Sequence, residues 1–230
     1  MGGVNVKNTM IQVVLQNVAP HLCFGCSKIG TTLCHNCKYN IISEPFSGCF
    51  LCGNVTTDGV CAQHDVPICK AFVVSERHST LKDIIDAYKF QFTKHAVRSL
   101  AELLDESFPL FPSDVVIVPI PTAASHVRQR GYDHLELLAR AFSIKREISV
   151  VHLLTRQSSR TQHRLNKEER QQEAGKAFVA DITSIDPDTP LLLLDDIITT
   201  GSTVSSAAQV LHEAGVKTIF VAALAYQPLD

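Results

Sequence analysis

Two clusters of residues in this sequence have the types and spacing for chemistry. The first is a set of cysteines. All eight lie between Cys23 and Cys69, and residues 70–230 contain none. They fall into knuckles: Cys23-x-x-Cys26, Cys34-x-x-Cys37, Cys49-x-x-Cys52 and Cys61-x-x-His64. Two residues between ligands let both reach one ion, and two knuckles complete a tetrahedron. The simplest assignment is two zinc ions, one on Cys23, Cys26, Cys34 and Cys37, the other on Cys49, Cys52, Cys61 and His64. Cys69 is a rival fourth ligand for the second ion, and interleaved pairing of the knuckles stays open. Disulfides are the bland alternative, disfavoured in a reducing compartment. Each set is a closed four-ligand site, which suits a structural metal better than a catalytic one.

The second cluster is Leu191-Leu192-Leu193-Leu194-Asp195-Asp196-Ile197-Ile198-Thr199-Thr200-Gly201-Ser202-Thr203. It predicts a buried strand ending in two carboxylates, a hydroxyl-rich turn and the start of a helix. Amides and hydroxyls at a helix N-terminus suit a phosphate, and Gly201 lets the backbone approach it. Two carboxylates cannot hold a phosphate, but they accept hydrogen bonds from vicinal hydroxyls. Together these groups describe a site for a ribose 5-phosphate. No Gly-Lys-Ser/Thr of a Walker loop follows, and no GxGxxG is present.

The rest of the chain must position these groups. It has 230 residues, 45% hydrophobic and 19% charged, with a net charge of −2. That is enough apolar content for a sizeable core, and it excludes a disordered chain or a basic nucleic-acid coat. The longest apolar run, Ile219–Tyr226, is far below the roughly 18–20 residues of a membrane span. With a poor secretory signal as well, the expected location is cytoplasmic. Residues 5–18 predict a helix ended by Pro20. Residues 20–70 are loop-rich and need a metal staple.

Beyond residue 70 the patterning predicts strands at 71–75, 114–120, 150–154, 191–194 and 217–225. It predicts helices at 81–90, 96–106, 133–144, 167–174 and 203–214. Alternating strands and helices give an α/β fold, a parallel sheet with helices on both faces. The chain thus divides into residues 1–70, an N-terminal helix and double zinc ribbon, and residues 71–230, the α/β body. The polar stretch 155–175 predicts a mobile functional loop.

The Asp195-Asp196-Ile197-Ile198-Thr199-Thr200-Gly201 segment resembles the 5-phosphoribosyl-1-pyrophosphate (PRPP) motif of type I phosphoribosyltransferases. From Pro20 to Tyr226 the chain resembles the ComF/GntX family, which joins a double zinc ribbon to a phosphoribosyltransferase domain. The resemblance also rests on Tyr88-Lys89-Phe90, Val118-Pro119-Ile120-Pro121, Arg130-Gly131-Tyr132 and the spread pattern Leu154, Arg156, Gln162, Leu165, Arg170, Ala177 and Phe178. Three positions depart from the family's usual residues: His64 stands for Cys, Asp133 for Asn and Glu173 for Asn.

The resemblance implies a magnesium-dependent transferase of the pentosyl class. Asp195 and Asp196 would bind the ribose hydroxyls, and Thr199, Thr200, Gly201, Ser202 and Thr203 would cradle the 5-phosphate. Pro119, Ile120, Pro121 and Thr122 would form a pyrophosphate loop. Lys89, Arg128 and Arg130 would neutralise pyrophosphate, and a lid carrying Arg156, Arg160, Arg164 and Arg170 would close over it. The acceptor is not written in the sequence. The family name also implies a second role, a competence accessory acting with single-stranded DNA or protein partners of the competence machinery, using the PRPP site as a sensor. Against DNA binding, residues 1–70 carry four lysines against three carboxylates and no basic-aromatic stripe.

Overall fold

The computed structural model describes residues 21–91, 93–157 and 177–228. The helices expected at 5–18 and 167–174, and with them Arg160, Arg164, Arg170 and Glu173, lie outside the described residues. Four parallel strands form the central sheet, in the order β1 (Lys70–Glu76), β6 (Ile219–Tyr226), β5 (Leu191–Ile198), β2 (Val116–Pro119). Leu191 to Leu194 and Ile219, Val221 and Ala222 are fully buried. Such continuous apolar strands are what a sheet covered on both faces requires.

α1 (His35–Ile42) precedes β1, and α2 (Ser79–Phe90) and α3 (Ala96–Ser107) run between β1 and β2. α4 (Ala124–Arg130) and α5 (His134–Arg146) follow β2, and α6 (Ser202–Glu213) joins β5 to β6. α3 and α5 pack on each other, α5 lies over β2 and β5, and α6 lies against β5. A separate antiparallel ribbon pairs β3 (Leu154–Arg156) with β4 (Phe178–Ala180).

The observed elements depart from the sequence expectation in three places. The strand expected at 150–154 is reduced to a single parallel bridge, Val150 to Ile117, and Leu154 belongs instead to the ribbon. β5 does not stop at Leu194. It runs to Ile198, because its edge continues to pair with β6 through Asp195–Ala223, Ile197–Ala225 and Ile198–Tyr226. Finally, α1 and α4 are helices that the sequence pattern did not announce. α4 ends on Gly131 at φ 71°, a left-handed position where glycine carries no side-chain penalty.

The cysteine-rich segment packs on the sheet and its helices. Phe46 N–H donates to Val74 O at 3.4 Å, and Ala71 N–H donates to Asp58 O at 2.8 Å, so β1 takes backbone bonds from the head. Thr32 and Ser99 share a buried hydroxyl bond of 2.8 Å. Lys38 on α1 is held by Glu102 and Glu106 on α3.

Candidate functional site: a split aspartate pair, a hydroxyl-rich turn and two metal clusters

Successive residues of a strand point to opposite faces. Because β5 extends through the acidic pair, Asp195 and Asp196 are separated by the sheet. Asp195 lines an open hollow with Ile197, Ile198, Thr199, Thr200, Gly201, Ser202, Thr203 and Val204. Its Oδ1 accepts from Asp196 N–H at 2.8 Å. Gly201, at φ 72°, turns the chain into α6, and Thr200 Oγ1 is 2.9 Å from Ser202 Oγ. The hollow therefore combines one carboxylate, four hydroxyl side chains and the amides that open a helix, which carry the positive end of its dipole.

Asp196 lies on the other face, 4% exposed, and its Oδ2 meets His134 Nε2 at 2.6 Å and Lys89 Nζ at 2.9 Å. The acidic pair thus has two environments. For Asp195, burial and then the charge of Asp196 push the carboxyl up to about 7. Burial also opposes ionisation of Asp196, but the Lys89 charge and the His134 hydrogen bond outweigh it and hold that carboxyl well below the usual range.

The expected cations divide in the same way. Lys89 is neutralised by Asp196. Arg128, Arg130 and Arg156 have no carboxylate within 4.0 Å among the described residues. Arg128 and Arg156 share a cleft of about 760 Å³ with Pro121, Thr122, Ser125 and Thr155. Pro119 and Ile120 are buried at the end of β2 and do not line that cleft. Asp133, the departure from the family's asparagine, is consumed locally. Its Oδ1 caps α5 by accepting from Leu135 and Glu136 N–H, and it also accepts from Thr122 Oγ1 at 3.0 Å.

Sequence reasoning missed His134. A histidine directly after Asp133 gave no periodic or spacing signal. Only the fold brings it to Asp196.

The cysteine knuckles converge as consecutive sets. The ligand atoms of Cys23, Cys26, Cys34 and Cys37 lie within 4.8 Å of one another, and so do those of Cys49, Cys52, Cys61 and His64. All eight cysteines are free thiols. Sγ–Sγ separations of 3.6 Å for Cys26–Cys34 and 3.8 Å for Cys52–Cys61 match the edge, about 3.8 Å, of a tetrahedron with zinc–sulfur bonds of about 2.3 Å. His64 Nε2 is buried without a hydrogen-bond partner, and a metal bond would satisfy it. Cys69 is exposed and outside the cluster, its N–H donating to Ile219 O. Burial and neighbouring thiols push Cys37 up to about 12 and Cys61 up to about 11. Thiols this close ionise together only around a cation.

The second cluster touches the hydroxyl-rich turn. A Cβ at Gly201 would come within 2.7 Å of Leu51 Cδ2 and 2.8 Å of Phe50 Cδ2, the two residues between Cys49 and Cys52. The glycine is therefore demanded by the metal knuckle as well as by its φ.

Residues 88–230 match the phosphoribosyl transferase domain family. The chain belongs to that family. Two curated relatives extend the similarity into the cysteine-rich segment. Competence protein F of Haemophilus influenzae is 27% identical over 207 residues, 84% of this chain and 90% of its own. Competence protein ComFC of Streptococcus pneumoniae is 26% identical over 211 residues, 90% of this chain and 88% of its own. A solved structure of the allosteric regulatory enzyme of purine biosynthesis aligns at TM-score 0.40 and 17% identity, over 55% of this chain and 25% of that one. The architecture is thus a phosphoribosyltransferase-type parallel sheet joined to a cysteine-rich region with two zinc-fitting clusters. Among the described residues, no helix is long and apolar enough to cross a membrane.

Proposed function

We propose that this chain binds PRPP and transfers its phosphoribosyl group to an acceptor, displacing pyrophosphate. The reading is carried by one observation: a carboxylate, Asp195, faces the same hollow as the hydroxyls and amides at the start of α6. Thr199, Thr200, Ser202 and Thr203 hold the 5-phosphate, and Asp195 accepts from the ribose hydroxyls. The bond from the anomeric carbon to the pyrophosphate oxygen breaks, and a bond from acceptor to carbon forms. An ionised Asp195 beside the sugar favours the positive charge that builds there. Arg128, Arg130 and Arg156 receive the departing pyrophosphate, and Pro121 and Thr122 shape its loop. Asp195 would offer magnesium a hard oxygen donor in this hollow, and the ion would supply charge shielding for the diphosphate when bound. Asp196 and Lys89 act behind the site as a buried pair rather than as ligand contacts. Two structural zinc ions fill the cysteine clusters.

The names of the two relatives favour a second reading, in which a PRPP-binding protein serves competence. The test begins with thermal unfolding. PRPP with magnesium raises the melting temperature of the wild type, and Asp195→Ala removes the shift. A wild type that PRPP leaves unmoved overturns the proposal. Pyrophosphate release in the presence of ammonia, nucleobases or single-stranded DNA then identifies the acceptor; a shift without release under any of them selects the sensor.

A further inference from the structure

The Cys49-x-x-Cys52 knuckle is tied to the body from several sides. Cys49 Sγ accepts from Leu51 N–H at 3.4 Å and from Cys61 N–H at 3.3 Å. Phe50 N–H donates to Gly59 O at 2.9 Å, and Ala71 N–H on β1 donates to the adjoining Asp58 O at 2.8 Å. Just before Cys49, the ring centre of Phe46 lies 4.5 Å from that of Tyr226, the β6 residue paired with Ile198 at the end of β5. The residues between the ligands, Phe50 and Leu51, meet the chain at Gly201. Gly201 lines the Asp195 hollow, and neither Phe50 nor Leu51 does. They touch the turn but form no part of the hollow.

Glycine suits the turn by its φ of 72° and its missing side chain. The same freedom lets a glycine leave that conformation easily, so an anion-holding turn built on it needs restraint from outside. Phe50 and Leu51 supply the restraint, and their own place depends on the metal ligands that flank them. The first cluster has different neighbours. A Cβ at Gly25, inside the Cys23-x-x-Cys26 knuckle, would meet Thr80 Oγ1 at 2.9 Å, at the start of α2.

We propose that Phe50 and Leu51 are positioning residues for the turn at Gly201, and that they link the second metal cluster to it. Metal on Cys49, Cys52, Cys61 and His64 tightens the hollow's hold on a phosphate monoester. The monoester tightens that metal by the same factor, since linkage is reciprocal. This rests on the reading of the hollow as the 5-phosphate site.

The test uses the full chain with cobalt in both clusters, as a spectroscopic stand-in for zinc. Ribose 5-phosphate is the probe, and a chelator competes for the metal at equilibrium. Cobalt on four sulfurs and cobalt on three sulfurs and an imidazole absorb differently, so each cluster is read separately. Saturating ribose 5-phosphate raises the metal affinity of the second cluster about tenfold and leaves the first within about twofold. Phe50→Leu keeps an apolar side chain but loses the ring against Gly201. Its second cluster still binds metal, and the effect of ribose 5-phosphate shrinks to about twofold. Where Phe50→Leu does not fold, Leu51→Ala serves the same comparison.

A Phe50 that is merely structural would lower the melting temperature and leave the tenfold linkage intact, which overturns the proposal. Equal protection of both clusters overturns it too, because a ligand that stabilises the whole fold would give that result. Calorimetry on the wild type shows whether ribose 5-phosphate binds at all. Binding without linkage overturns the metal link and leaves the PRPP reading standing. No binding overturns the functional reading and the link with it.

Discussion

Asp195 and Asp196 are neighbours in sequence and opposites in field. Folding favours the protonated form of Asp195, whose carboxyl rises to about 7. Its contribution to stability is intact below about pH 4, where the unfolded carboxyl is also protonated, and is lost as pH rises toward 7. Asp196 has the reverse sign. Its stabilisation is present above the unfolded value and fades only under strong acid. Asp195→Asn should therefore gain stability relative to wild type between pH 4 and pH 7, measured by urea unfolding across that range. A difference independent of pH would remove the assignment. Asp196→Ala strands Lys89 and His134 without their acid, and it should lose about 3 kcal/mol or more. Asp195→Ala, by contrast, should cost little. Equal losses from the two alanine variants would mean that the pair is not split as described.

At the scale of elements, the telling contact is between the Cys49-x-x-Cys52 knuckle and the turn before α6. Phe50 is fully buried, and with Leu51 it fills the space over Gly201. Zinc would hold that knuckle rigid, and the knuckle in turn backs the turn whose hydroxyls and amides are proposed to hold the phosphate. Chelation should then speed hydrogen exchange at the amides of Gly201, Ser202 and Thr203, read by mass spectrometry of peptides spanning β5 and α6. Exchange in β2, remote from the metal clusters in the chain, should change less. Unaltered exchange at the turn after verified metal loss would show that the contact carries no rigidity. Gly201→Ala combines an unfavourable φ with overlap against two side chains, so its expected effect is a lowered melting temperature and lost PRPP binding together.

Across the whole molecule, the cysteine-rich segment is part of the fold's energetics. Its backbone bonds to β1, its buried Thr32–Ser99 bond and the Lys38 carboxylate cluster all cross to the body. The expected calorimetric trace is a single transition that moves to lower temperature when metal is removed, with no separate early melting of the head. Two resolved transitions would mean that the segments are thermodynamically independent.

Composition and local pattern were enough for the parallel α/β body, the two metal sets and the Asp195–Thr203 motif. Each depends on residues close in the chain: knuckles of two ligands, an apolar strand, a helix start. Helices α1 and α4 escaped because their apolar faces are weak: α1 buries only Lys38 and Ile41, and α4 buries no side chain. The end of β5 escaped for a related reason. Asp195 and Asp196 look like a strand terminus, yet pairing with β6 carries the backbone on to Ile198 and turns the two acids to opposite faces. That alternation gave Asp196 to Lys89 and His134, while packing of the Cys49-x-x-Cys52 knuckle set Phe50 and Leu51 against Gly201. None of these relations is local, since each joins residues brought together only when the sheet closes and the head packs on it.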